Sequence, residues 1–352
     1  MKEFNKEIKV FVLIPAHNEE KDIEKTLTSV LSQTYLADKI VVALDNCTDN
    51  TEAIVKACGV DSFKTVGNTA RKAGALNQGM GYMLETYGEP DFLLQMDADT
   101  FLDSRLIEEG IRELEVDPEL GGVCNRFGIK PYEGGNKLLH IFQYLEYSYY
   151  DSVWVEKNMD THVLSGTAVI LRWEAIKNFV DEDIWDENSV VEDFRLALDL
   201  KRKGWKIKVG ENMHTLTDYM PTWKSLWLQR KRWFYGTIEE LLIEGWKKYT
   251  SKDILVQFYS AIIGLLSILF FVVFMIYLSL GLITEWHILG KIIIGIALID
   301  RLYRNKYVRE KTKVNMLVNL TLIPTYLYGL FLLVCYYHSA YLVFRGKPLN
   351  KW

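Results

Sequence analysis

The chain has 352 residues, 41 of them basic and 46 acidic, for a formal net charge of −5. That balance argues against a nucleic-acid-binding domain, which carries a basic face. Its four cysteines (Cys47, Cys58, Cys124, Cys335) form no CxxC pair, so neither a disulfide framework nor a clustered zinc site is expected, and a reducing, cytosolic environment fits best.

Val10–Ile14 is an apolar run closed by Pro15 and reads as a buried strand. The N-terminal stretch before it leads into a polar loop, not a small-residue cleavage site, so no signal peptide is expected. A helix is predicted over Asn18–Leu31, a β-branched strand over Lys39–Leu44 and a helix over Asp49–Cys58. A short strand at Ser62–Val66, a helix over Lys72–Tyr87 and a strand over Asp91–Met96 follow. Strands alternating with helices predict a parallel sheet covered on both faces. Ligands bind such sheets beyond the carboxyl ends of the strands. Pro15–Glu19, Asp45 and Asp97–Asp99 all fall at such ends and predict one pocket. Gly121–Gly210 mixes strands (Gly122–Phe127, Ala168–Arg172, Lys206–Val209) with helices near Lys137–Glu156 and Glu192–Lys203. Trp223–Trp246, rich in Trp, Lys and Arg, reads as an amphipathic helix at a membrane interface.

Beyond residue 253 the composition changes. No charge occurs from Ile254 to Thr284 or from Met316 to Phe344, and each run exceeds the ~20 apolar residues that span a bilayer. Ile288–Ile299 is apolar except for Lys291 and short for a crossing. Arg301–Lys313 carries six basic residues and one acidic, which places that loop in the cytoplasm by the positive-inside rule. Two to three crossings follow, with the catalytic part cytoplasmic.

Several polar motifs carry chemistry, and each has a plainer reading. Asp97 and Asp99 end the strand DFLLQM; two carboxylates two residues apart can share Mg²⁺ or Mn²⁺ with phosphate oxygens, whereas a bare turn would leave them solvated. Asp45 follows KIVVAL and could cap the next helix or hydrogen-bond a nucleotide base. Arg71 and Lys72 open a helix, where cations oppose the macrodipole unless an anion binds there; a diphosphate is the natural anion, with Lys72 nearest. Glu192 and Asp193 begin a helix, ordinary dipole complements, yet Asp193 could also serve as the base that an inverting sugar transfer requires. In Gln229-Arg230-Lys231-Arg232-Trp233, Arg232 can pair with a diphosphate and Trp233 can stack on a sugar; the plain reading is an interfacial basic-aromatic helix. Ser165-Gly166-Thr167 precedes a strand and would shape an acceptor site. His17 and His214 are read as locally satisfied. No GxGxxG follows the first strand, which disfavours a Rossmann oxidoreductase.

Together these motifs resemble family 2 glycosyltransferases of the GT-A fold, in particular the membrane synthases of cellulose, chitin, hyaluronan and poly-N-acetylglucosamine. IPAHNEE is similar to that family's P-A-x-N-E-E, ALDNCTDNT to D-N-C-T-D, RKAGALNQG to K-A-G-A-L-N and DADT to D-x-D. VVED is similar to T-E-D, with Val191 in place of Thr, and QRKRW fits Q-x-x-R-W. The resemblance covers about residues 9–236. It implies an α/β fold of the GT-A, nucleotide-sugar-binding type, a Rossmann-like mixed sheet, followed by a C-terminal α-helical transmembrane region. Domains are expected at 1–220, 221–250 and 251–352.

For the site, the resemblance implies that Ala16, Glu19 and Asp45 hold the uridine. Lys72 and Asp97 would lie on the diphosphate and ribose side, with Asp99, beside Asp97, on the metal. Asp193, next to Glu192, would be the base. Arg232 would take the donor diphosphate, and Gln229 and Trp233, with Ser165 and Gly166, the acceptor. The expected activity is inverting, metal-dependent transfer from a UDP-sugar, UDP-GlcNAc or UDP-Glc, to a growing glycan at the membrane, in a processive manner. The alternative is addition of one sugar to a lipid or lipid-linked acceptor. No transmembrane run precedes the catalytic motifs, and the apolar part is small; self-association or a membrane partner would complete a channel, or the product is short or lipid-linked.

Overall fold

The computed structural model describes residues 8–281, 288–308 and 311–349. The chain divides into two compact units, one of 1–131 with 154–218 and one of 132–153 with 219–352.

The first unit begins with β1 (Val10–Ala16), α1 (Ile23–Leu31), β2 (Lys39–Leu44), α2 (Thr51–Ala57), β3 (Asp61–Lys64), α3 (Arg71–Tyr87) and β4 (Phe92–Met96). The strand β5 (Phe101–Leu102), α4 (Leu106–Val116) and β6 (Leu120–Ile129) follow. After α5 (Lys137–Glu156) come β7 (Ala168–Arg172), the short α6 (Trp173–Ile176), α7 (Glu192–Arg202) and β8 (Lys206–Thr217). Eight strands form one sheet in the order β3-β2-β1-β4-β7-β6-β8-β5. β1 to β4 are parallel, as alternation with helices predicts, but β7 pairs antiparallel with both β4 and β6, and β5 pairs antiparallel with β8. The sheet is therefore mixed.

Side chains alternate across the strands, and the two faces carry different cores. Val10, Val12 and Ile14 pack with Ile23, Leu27 and Val30 of α1 and with Leu106, Ile111 and Leu114 of α4. Phe11, Leu13 and Leu93 pack on the other face with Leu76 and Met80 of α3 and with Leu196 and Leu200 of α7. That second face thus lies under the two helices whose first turns hold Lys72 and Glu192-Asp193. Gly79 lets α3 approach it: a Cβ there would stand 2.8 Å from Leu13 Cδ1.

Some boundaries differ from expectation. β1 continues through Pro15, which pairs with Ala43; the ladder with β4 stops at Leu13, before the missing N–H of proline matters. The first helix starts at Ile23, because Asn18 and Glu19 belong to a loop tied to the one after β2. There Asn18 Oδ1 accepts from the Thr48 N–H at 2.7 Å, and the Glu19 N–H donates to Thr51 Oγ1 at 2.8 Å.

The second unit contains most of α5 with α8 (Trp223–Glu244), α9 (Ser251–Ser279), α10 (Ile288–Arg304), α11 (Lys313–Leu320) and α12 (Leu322–Phe344). α8 starts at a capping box in which Thr222 and Ser225 satisfy each other's backbone N–H groups. Among the described residues two helices, Ser251–Ser279 and Leu322–Phe344, are long and apolar enough to cross a membrane. The expected run Ile254–Thr284 ends outside the described residues, as does part of the basic loop Arg301–Lys313. The apolar stretch Ile288–Ile299 forms part of the 17-residue α10. The run Met316–Phe344 is not one helix: α11 ends at Leu320 and α12 begins at Leu322. Pro324 explains the break, because a proline tolerated in a first turn cannot continue a helix from the preceding one.

Candidate active site

The expected pocket residues of the first unit gather at the carboxyl ends of β1, β2 and β4. Asp45 follows β2; its N–H donates to the Ala16 carbonyl at 2.8 Å, and its Oδ1 accepts from Thr65 Oγ1 at 2.7 Å and Asn46 Nδ2 at 3.0 Å. Ala16 is buried, and its carbonyl also accepts from Cys47 Sγ. His17 Nδ1 lies 2.6 Å from the Asp45 carbonyl, a local partner of the kind expected for it.

Lys72, in the first turn of α3, joins the other motifs. Its ammonium is ion-paired with Asp97, lies 3.5 Å from Glu192 Oε1 and donates to the Gly166 carbonyl at 3.5 Å. Burial opposes its charge, but Asp97 and Glu192 outweigh burial and raise its pKa above the ordinary lysine value. A cation at a helix N-terminus is thus compensated by carboxylates from two other elements.

Asp193 opens α7. Its Oδ1 accepts from the Phe194 N–H at 2.7 Å and its Oδ2 from the Gly166 N–H at 3.2 Å. A Cβ at residue 166 would lie 2.7 Å from Lys72 Nζ and 3.6 Å from Asp193 Oδ2, so glycine lets the backbone pass between the Asp193 carboxylate and the Lys72 ammonium. The Ser165 hydroxyl pairs with Thr167 Oγ1 at 2.8 Å, and Thr167 Oγ1 donates to Asn125 Oδ1 at 2.9 Å.

A second group of carboxylates surrounds Asp99. Burial, then the charges of Asp97 and Asp218, push the Asp99 carboxyl up to about 6. Burial and the charges of Asp99, Asp22, Asp97 and Asp218 push Glu19 up to about 7. Mutually repelling carboxylates of this kind are stabilised by a hard cation. Among the described residues no group of three or more His, Cys, Asp or Glu is placed to hold a metal ion by itself. Asp99 and Asp97 are the residues that could hold a divalent ion, with phosphate and water as its remaining ligands, as Mg²⁺ commonly uses. Sequence reasoning missed Asp22, Lys130 and Asp218. Lys130, on the face of Phe101 at 3.9 Å, bridges Asp22 at 2.8 Å and Asp218 at 3.0 Å. Asn77, within RKAGALNQG, brackets Trp185, donating to its carbonyl at 2.8 Å and accepting from its N–H at 3.1 Å.

Gln229, Arg232 and Trp233 lie on α8 in the second unit. Gln229 Oε1 accepts from Arg230 Nη1, and the Arg230 guanidinium covers one face of the Trp233 ring at 4.3 Å.

A mixed α/β sheet with acidic and basic side chains gathered at its carboxyl edge is the build of a GT-A enzyme. Residues 11–179 match the family model described as Glycosyl transferase family 2. The chain carries a family 2 glycosyltransferase domain. It is similar to the poly-β-1,6-N-acetyl-D-glucosamine synthase of Staphylococcus aureus (strain COL), 28% identical over 238 residues, covering 65% of this chain and 55% of that protein. It is 26% identical over 250 residues to the synthase of the same name from Staphylococcus epidermidis, covering 69% of this chain and 58% of that one. The chain thus spans little more than half the length of these curated relatives. In fold it is similar to a solved mannosyltransferase from Pyrobaculum calidifontis in complex with GDP-Man and Mn²⁺, with a TM-score of 0.60, 14% identity, and coverage of 98% of this chain and 89% of that one.

Proposed function

We propose that the protein moves a sugar from a UDP-sugar, UDP-GlcNAc or UDP-Glc first among candidates, to the hydroxyl end of a glycan at the membrane, inverting the anomeric centre. The observation that carries this reading is the connected set Asp97–Lys72–Glu192 with Gly166–Asp193. It sets a carboxylate that can take a proton beside a cation and an acidic pair that can manage a diphosphate. Asp45, with Ala16 and Glu19 beside it, is assigned to the nucleoside, and Lys72 and Arg232 to the diphosphate.

In the reaction the acceptor oxygen attacks the anomeric carbon, and its proton passes to Asp193. The bond from that carbon to the diphosphate breaks, and its electron pair leaves with the diphosphate. Held by Asp99 and Asp97, Mg²⁺ or Mn²⁺ would neutralise charge on the leaving group. Gln229 and Trp233, with Ser165 and Gly166, are assigned to the acceptor. The helices Ser251–Ser279 and Leu322–Phe344 are assigned to the bilayer, with the catalytic domain on the cytoplasmic side. Likeness to the poly-N-acetylglucosamine synthases favours repeated addition, and a second copy or a membrane partner would complete an export path.

A second reading is transfer of one sugar to a lipid or lipid-linked acceptor. It is favoured by the small apolar part, in which two helices among the described residues are long and apolar enough to cross a membrane. Turnover of radiolabelled UDP-GlcNAc and UDP-Glc by the full chain in detergent, with Mg²⁺ or Mn²⁺, separates the two. A high-mass smear supports the polymerase. A single lipid-soluble product replaces it with the one-sugar transferase.

A further inference from the structure

Gln95 is a polar side chain in an apolar place. It lies in β4, where all five residues are buried, and is 2% exposed. By strand alternation it faces the same side as Leu93, the face packed with Leu13, Val169 and Leu171. Its backbone pairs with Val169 of β7 and Leu13 of β1. A leucine there would complete the core at no polar cost, whereas a buried amide needs partners. The partner is the Gly166 carbonyl, to which Gln95 Nε2 donates at 3.0 Å. The same glycine gives its N–H to Asp193 Oδ2 at 3.2 Å. Gly166 has no side chain to fix it, and it sits in the segment between β7 and the end of α5.

We propose that Gln95 is a positioning residue for the reaction, acting through Gly166 on Asp193. It anchors the glycine carbonyl from below, so the N–H on the other side of the same Cα stays on Asp193 Oδ2. With Oδ1 held by the Phe194 N–H, the carboxylate plane is fixed, and its remaining lone pairs point one way. Lys72 also reaches the Gly166 carbonyl, at 3.5 Å, but its charge is shared with Asp97 and Glu192 and would be drawn on by a diphosphate. Gln95 is uncharged and shielded, and holds the glycine in every state of the site. This inference rests on the reading of Asp193 as the base.

The test compares Gln95→Met, which keeps length and loses the donor, with wild type and Asp193→Asn, all as full chains in detergent. Hydrogen exchange read by mass spectrometry on peptides covering Ser165–Thr167 needs no substrate. It is expected to speed up about three- to tenfold in Gln95→Met, the loss of one net hydrogen bond, with exchange in the rest of β7 unchanged. In turnover of UDP-GlcNAc with Mn²⁺, kcat is expected to fall about 10- to 100-fold while UDP binding stays within about twofold. Unchanged exchange at Ser165–Thr167, or wild-type kcat, overturns the proposal. If Asp193→Asn keeps its activity, the base reading fails first, and Gln95 is reduced to a structural anchor. Should Gln95→Met not fold, Gln95→Leu, which also lacks a donor, takes its place; wild-type exchange in that variant overturns the proposal equally.

Discussion

Arg230 meets Glu146 in a two-pronged ion pair, with Nε 3.2 Å from Oε1 and Nη2 2.8 Å from Oε2, and Arg230 is 1% exposed. Tyr150 donates to the same carboxylate at 3.0 Å and Tyr328 at 2.5 Å. The pair therefore ties α8, which carries Gln229 and Trp233, to α5 and α12. Breaking a buried pair from one side leaves an uncompensated charge, at a cost of about 3–5 kcal/mol. Glu146→Leu is expected to lower the melting temperature of the detergent-solubilised chain markedly. The double variant Glu146→Leu/Arg230→Met is expected to recover a large part, because the desolvation of both charges disappears together. A double variant as unstable as the sum of the two single ones would show that the pair itself contributes nothing.

Asp193→Asn should abolish transfer while nucleotide binding persists. Amide and carboxylate have nearly the same shape, but the amide has a single acceptor oxygen, so it keeps one of the two bonds from the Phe194 and Gly166 N–H groups and loses the ability to take a proton. General-base catalysis contributes about 10²- to 10⁴-fold, and kcat is expected to fall within or beyond that range. UDP affinity, measured by calorimetry, should remain within about threefold of wild type. A variant with near-normal turnover would remove Asp193 from the mechanism.

Much of this site was legible in the sequence, and for a definite reason. Asp45, Asp97 and Asp99 follow apolar strands directly, and Lys72 and Asp193 open helices, so local pattern alone brought them to one edge. β2 and β7 were legible to the residue because they are short β-branched or apolar runs with polar neighbours. What was not legible depends on distant partners. Gln95 finds the Gly166 carbonyl 71 positions away, Lys130 finds Asp22 108 positions away, and Tyr328 finds Glu146 182 positions away. No spacing rule reaches so far. β8 runs to Thr217, well past Val209, because it resumes pairing with β6 after a register shift. The two-residue β5 is too short to leave a pattern, whereas α4 shows buried Leu106, Ile107, Ile111 and Leu114 at helical spacing and passes unnoticed beside the acidic motif.

Asp99→Ala should remove metal dependence together with activity. Burial and the charges of Asp97 and Asp218 disfavour its ionised form, a repulsion that a bound divalent ion would relieve. Titration of turnover against Mn²⁺ should give a saturable curve for wild type and a flat baseline for the variant. Metal-dependent turnover persisting in Asp99→Ala would place the ion elsewhere.

Glu19 makes stability depend on pH in a direction opposite to that of an ordinary ion-paired acid. Its carboxyl rises from 4.5 to about 7 in the folded chain, through burial first and then the charges of Asp99, Asp22, Asp97 and Asp218. Between those values the folded chain holds a proton that the unfolded chain has released. Stability must then fall as pH rises through this window, with the whole penalty in force above about 7. Glu19→Gln keeps the shape and cannot ionise. Its melting temperature in metal-free buffer should match wild type below about pH 4.5 and exceed it increasingly up to about pH 7, with a plateau beyond. A difference that stays constant across the window, or that favours wild type at the upper end, would mean that Glu19 is not held against the charges of its neighbours.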